Sequence, residues 1–137
     1  MQTHSTAPLS SLDRETSLLV DEIVDLLATR HPDVLAIILY GSVARHEERA
    51  LDEPDPSDVD ILVVVDTEDK CGIRAHRMAF LETLGVAKTH HLEAGRDVNV
   101  MFSSRTSQEW DSTFIENVKR DGIILYQRVA LPAAFAI

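Results

Sequence analysis

Two stretches of the 137-residue chain carry residue types suited to phosphate and metal chemistry: Tyr40-Gly-Ser-Val-Ala-Arg45 and, after a polar loop, Ser57-Asp-Val-Asp-Ile-Leu-Val-Val-Val65. A strand that stops at Gly41-Ser42 and turns into a helix offers free backbone N–H groups and a hydroxyl, which suit a phosphate oxygen. Glycine permits the close approach and unusual dihedrals such a turn needs. Asp58 and Asp60, two positions apart, point to the same face of a strand because side chains alternate along it. Side by side, their carboxylates repel unless a cation lies between them. Mg²⁺ is the usual cation, since it takes oxygen ligands from one or two carboxylates plus substrate phosphates. Taken singly, Gly-Ser reads as a turn and Asp-x-Asp as a solvated strand end. Together, at two strand boundaries, they imply a metal-bound nucleoside triphosphate.

The elements that must position these residues follow from apolar periodicity. Residues 1–9 are polar and aperiodic and read as a flexible N-terminal arm. Leu18, Leu19, Ile23, Val24, Leu26 and Leu27 recur at helical spacing, which predicts an amphipathic helix from Leu12 to Arg30, closed by Pro32. Val34 to Tyr40 is a nearly continuous apolar run, as in a strand buried on both faces. Residues 46–57 are charged and contain Pro54 and Pro56, so they read as an exposed loop. Val59 to Val65 is the second strand and Gly72 to Leu84 a helix, with Gly85 as its C-terminal stop. Asp97 to Phe102 is a third strand. Thr106-Ser-Gln-Glu109 matches a capping box for a helix that contains Trp110, Phe114, Ile115 and Val118 and closes at Gly122. Trp110 and Phe114, four apart, read as core. Ile123 to Tyr126 is a fourth strand, and residues 129–137 form an apolar tail that packs on the domain or makes a dimer contact. The pattern predicts one domain over residues 10–128, of α/β (α+β) class, with a small mixed β-sheet flanked by helices.

Composition narrows the classes. The chain has 13 Lys+Arg against 23 Asp+Glu, a net charge of −10. Ten of those acids lie between residues 47 and 69 against Arg49 alone, so nearly all the net charge surrounds the aspartate strand and its loop. Such a mouth repels a polyanion and argues against general nucleic-acid binding, while Mg²⁺ can screen a triphosphate there. A basic or neutral acceptor, such as a protein partner, is the expectation. Cys71 is the single cysteine, which excludes an intrachain disulfide and a multi-thiolate zinc site. Neither a secretory signal at Met1 to Ser11 nor a bilayer-spanning run is apparent, so the expected location is cytoplasmic. His90-His91 with Glu93 reads as a solvated turn rather than a metal cluster.

Gly41-Ser42-x-Ala44-Arg45, a polar loop, and then Ser57-Asp58-Val59-Asp60 followed by aliphatic residues resemble the signature of the DNA polymerase β nucleotidyltransferase superfamily, in its minimal nucleotidyltransferase branch. With the flanking elements and Asp121-Gly-Ile-Ile-Leu-Tyr126, the resemblance spans roughly residues 12–128. It implies a polymerase β-like fold and a two-metal mechanism. Asp58, Asp60 and a third acid would hold Mg²⁺ and carry catalysis. Gly41 and Ser42, with Arg45 and Ser57, would bind the nucleotide, and an acceptor hydroxyl would attack the α-phosphorus with pyrophosphate leaving. Arg45 either neutralises phosphate charge or pairs with a nearby carboxylate.

The chain departs from the family pattern in three places. His46 stands where Gly is usual, and the loop from there to Ser57 is longer than is typical. The third departure concerns the later strand, Arg96-Asp-Val-Asn-Val-Met-Phe102, where the apolar pattern aligns Asn99 with the third acid. Asp97 shares its face and is assigned as the third catalytic and metal-binding acid, serving from one step earlier, about 6.6 Å along the strand. Its other reading is an ion pair with Arg96 or Arg105. Asn cannot take a proton at neutral pH.

Stand-alone minimal nucleotidyltransferases resemble the antitoxin half of two-component toxin–antitoxin pairs whose partner is a helical higher-eukaryote-and-prokaryote nucleotide-binding (HEPN) protein. The resemblance therefore implies transfer of AMP from ATP to a hydroxyl on such a toxin. Two other readings stand beside it: a weak or inactive nucleotide-binding module that neutralises its partner by contact, and a nucleotidyltransferase acting on an aminoglycoside-like small molecule.

Overall fold

The computed structural model describes residues 3–4, 12–45, 57–66, 74–104 and 113–129. In chain order these form β1 (Thr3–His4), α1 (Arg14–Arg30), β2 (Val34–Tyr40), α2 (Gly41–Ala44), β3 (Val59–Val65), α3 (Arg74–His90), β4 (Val98–Ser104), α4 (Thr113–Asp121) and β5 (Ile123–Gln127). The strands make one mixed sheet in the order β1-β5-β2-β3-β4, antiparallel except for the parallel β3–β4 pair. This is an α+β fold, a small mixed sheet flanked by helices.

The apolar runs of β2 and β3 explain their central place. Val34–Leu39 and Ile61–Val65 are buried throughout, as strands covered on both faces must be. Alternation sends Ile37, Leu39, Ile61 and Val63 to one face, where Leu19, Val20, Ile23 and Leu27 of α1 and Phe80, Leu84 and Ala87 of α3 cover them. Ala36, Ile38, Leu62 and Val64 face the other way, onto Ile115 and Val118 of α4. Asp60 shares the face of Leu62 and Val64, so it opens on the α4 side of the sheet.

Several boundaries differ from the sequence pattern for identifiable reasons. α1 begins at Arg14 because Asp13 caps it, its carboxylate accepting the Thr16 N–H at 3.1 Å and the Gly95 N–H at 3.2 Å. α3 does not stop at Gly85 but runs to His90. Gly85 costs a helix interior ~0.5–1 kcal/mol, and burial of Ala87 beneath the next turn outweighs that. Thr3 and His4, inside the expected arm, pair with Gln127 and Tyr126 of β5. His90 and His91 lie at the end of α3 and reach Glu22 of α1, at 2.9 and 3.4 Å. Among the described residues no helix is long and apolar enough to cross a membrane. The expected 46–57 loop outside Ser57, the capping box with Trp110, Arg105, Cys71 and residues 130–137 lie outside the described residues.

Candidate active site

β3 presents the two candidate aspartates at its polar entrance, while the rest of the strand is anchored in two cores. Asp60 stands opposite Tyr40 of β2 on one side and opposite Asn99 of β4 on the other. The Asn99 amide reaches between the two aspartates, donating to Asp58 Oδ2 at 2.9 Å and to Asp60 Oδ1 at 3.5 Å. Burial raises the Asp60 pKa above the ordinary carboxylate value; the Asn99 hydrogen bond opposes this and the neighbouring Asp58 charge adds to it. Two half-buried carboxylates held this close to each other form a site that gains from a cation.

Gly41 closes the site from the β2 side. It adopts φ +80°, the left-handed region that favours glycine, and a Cβ there would lie 2.5 Å from Asp60 Oδ2. The backbone of the Gly-Ser turn therefore abuts the Asp60 carboxylate, and its left-handed conformation at Gly41 is one that other residues adopt only under strain. α2 contains four residues, and its first intrahelical bond runs from the Arg45 N–H to the Gly41 carbonyl at 3.2 Å. The amides ahead of that bond are the donors the turn can offer to an anion.

The family model for "Polymerase beta, Nucleotidyltransferase" matches residues 21–130, which include every residue of this site. The chain belongs to this family. It is accordingly an enzyme of the nucleotidyltransferase type. Among curated proteins no significant match is found. Two solved structures are similar: a toxin–antitoxin with AMP-PNP, at 20% identity over 79% of this chain and 73% of that chain (TM-score 0.51), and a mutant of the toxin–antitoxin MntA-HpeT, at 18% identity over the same shares (TM-score 0.51). At such identity the likeness is one of fold.

The nucleotidyltransferase site departs from the sequence expectation at the third acid. The ladder places Asn99 directly opposite Asp60. Asp97 precedes β4, its side chain is exposed, and its carbonyl accepts the Val59 N–H at 2.8 Å. Among the described residues no three His, Cys, Asp or Glu side chains lie together where they could hold a metal ion. The register of β3 and β4 pairs Asp60 with Asn99, and Asp97 lies one residue before β4 begins. Nor does Arg96 answer Asp97; its guanidinium donates instead to the Ser57 carbonyl at 2.8 Å, fixing the backbone at the entrance to Asp58.

Arg45 takes the carboxylate option, donating to Asp121 Oδ2 at 3.0 Å. Arg120 binds the same carboxylate through two nitrogens, and the hydrogen bonds from Arg120 and then Arg45 hold the Asp121 pKa low. Ser42 follows Gly41 in the turn, half-buried. Sequence reasoning missed Tyr40 as a wall of the site: its phenol pKa is pushed up to about 12 by burial and by the Asp60 charge. The position immediately before Gly41 was the available signal. Asp121 was visible only as part of the closing Asp121-Gly122 segment, and nothing local tied it to Arg45, 76 residues away.

Proposed function

We propose that this nucleotidyltransferase moves AMP from ATP to a hydroxyl of a protein partner of the HEPN toxin type, using Mg²⁺. The observation that carries the proposal is the Asp58–Asp60 pair beside the Gly41 turn, where Gly41 adopts φ +80° and a Cβ would lie 2.5 Å from Asp60 Oδ2. The donor set fits a hard divalent cation, because it consists of carboxylate oxygens on a strand edge whose mutual repulsion an ion relieves. Asp58 and Asp60 would hold the ion; Asn99 adds no charge to the set. Bound Mg²⁺ would neutralise triphosphate charge, including that on the departing pyrophosphate. Gly41 and Ser42 would hold the triphosphate, with Arg45 and Ser57 at its margins. A bond forms between the acceptor oxygen and the α-phosphorus as the bond to the β-phosphate oxygen breaks, and the acceptor proton passes to solvent, since Asn99 cannot accept it.

The nucleotide and partner are supported by the similar structures. One is a toxin–antitoxin with AMP-PNP, and the other is an MntA-HpeT mutant in which two aspartates, spaced as Asp58 and Asp60 are, are replaced by glutamate. The acidic stretch from residue 47 to residue 69 disfavours a polyanionic acceptor and agrees with a protein one. Asn99 in place of a third acid favours one other reading, in which the domain binds nucleotide and partner but transfers little. Incubation with α-labelled ATP, Mg²⁺ and a HEPN-type partner separates them. Label on the partner supports transfer; tight Mg²⁺–ATP binding without label supports the contact reading. An Asp58→Asn, Asp60→Asn variant that labels as well as wild type would remove the site assignment.

A further inference from the structure

We propose that the cleft between α2 and α4 is the nucleobase pocket of this enzyme, with Phe114 and Tyr40 as its stacking walls and Asn117 as the residue that reads the base. The inference rests on the reading that Gly41 and Ser42 receive the triphosphate. The cleft has a volume of about 200 Å³ and borders Gly41 itself, so its occupant would adjoin whatever the Gly-Ser turn holds. Sites that enclose a whole drug-sized ligand measure ~300–1,000 Å³; this one suits a single ring system. Tyr40 and Phe114 meet edge to face, with centroids 5.4 Å apart and planes at 89°, an arrangement that leaves ring surface for a third ring to stack upon. Asn117 lies one turn along α4 from Phe114, on the same side of the helix, with its amide exposed. An amide presents a donor and an acceptor together, and Asn pairs in this bidentate way with adenine N6 and N7.

The rim agrees with the same ligand. Arg45 and Arg120 close on Asp121 at 3.0 Å each, so two cations and one anion border the cleft. The larger cavity beside Asn99, of about 300 Å³, is lined by Lys88, His91, Arg96, Asp97 and aliphatic residues, and among the described residues it has no benzene or indole ring on which a base could stack. Tyr40 lies between the cleft and Asp60, so base and phosphates would fall on either side of one residue.

Titrations of Mg²⁺–ATP and Mg²⁺–tripolyphosphate into wild type and three variants test this. Phe114→Leu, which keeps an apolar group in the second core, is expected to weaken ATP binding about ten-fold by loss of stacking. Asn117→Ala, on the exposed surface, is expected to weaken it about five-fold. Phe114→Tyr keeps the ring and should lose less ATP affinity than Phe114→Leu. Tripolyphosphate affinity should stay unchanged in all three. If Phe114→Leu and Asn117→Ala bind ATP as tightly as wild type, or if wild type binds ATP no better than tripolyphosphate, the base pocket is overturned while the phosphate site stands. Should wild type bind neither ligand, the triphosphate reading falls and the pocket with it.

Discussion

β3 and β4 lie side by side in parallel register, yet they solve different problems. β3 is buried at six of its seven positions, and its only half-buried member is Asp60. β4 lies at the edge of the described sheet and alternates, with Asn99 and Met101 exposed between the buried Val98 and the partly covered Val100 and Phe102. The aspartate pair is thus carried by a strand locked into two cores, while the third position of the site is carried by a strand only half packed. A site built this way keeps the geometry of its aspartate pair fixed by the fold, whereas its third group can change from acid to amide at little structural cost. Asn99 still occupies the expected place and reaches both aspartates, so the change is one of chemistry and not of architecture.

The sharpest way to probe that contrast is to restore the acid. Asn99→Asp supplies a proton acceptor at the site, and the expected gain in label transfer is on the order of 10²-fold or more, the usual contribution of a positioned general base. No gain would mean that the third position is not what limits transfer. Packing gives the next largest effect. Ile61→Ala on β3 should cost ~2–5 kcal/mol in urea unfolding, while Met101→Ala, 49% exposed on β4, should stay within ~0.5 kcal/mol. Equal losses at the two positions would erase the distinction between the strands. Gly41→Ala forces a side chain into the left-handed region and against Asp60, and should cost ~1–3 kcal/mol along with Mg²⁺–ATP binding. Wild-type stability and binding in that variant would show that the turn does not need its close approach.

The smallest effect concerns pH. Asp60 has its pKa raised in the folded state, so from the ordinary carboxylate value of 3.8 upward the folded protein holds more proton than the unfolded chain. Stability contributed by this group therefore falls as pH rises through that window, and the penalty is complete above the folded pKa. In the absence of metal, Asp60→Asn should melt slightly above wild type at neutral pH, and the difference should vanish on acidification below 3.8. Added Mg²⁺ should narrow the neutral-pH gap by stabilising wild type alone. A variant less stable than wild type at neutral pH would place the strain elsewhere.

Much of this molecule was legible because burial leaves a mark in sequence. The β-branched runs of β2 and β3 and the helical spacing of α1 named the central elements, and period-two alternation placed Asp58 and Asp60 on one face of their strand and Asp97 and Asn99 on one face of theirs. Gly41 was recognisable as a point of close approach. What sequence did not give away depended on contacts between distant residues. Gly85 looked like a helix stop because local propensity favours one, but Ala87 finds a buried place on α1 and the sheet, and tertiary burial carried α3 onward. Asp97 and Asn99 were separable only by the β3–β4 register. The Arg45–Asp121 pair and the Tyr40–Phe114 corner join elements more than 70 residues apart, and no local pattern encodes them.

The central claim, that Asp58 and Asp60 form the metal and nucleotide site against the Gly41 turn, is tested most directly by calorimetric titration of Mg²⁺–ATP into wild type and the Asp58→Asn, Asp60→Asn variant. The account predicts saturable binding to wild type that depends on Mg²⁺, and a loss of about ten-fold or more in affinity when both carboxylates are neutralised. Equal affinity in the two proteins, or binding to wild type that is indifferent to Mg²⁺, would contradict it.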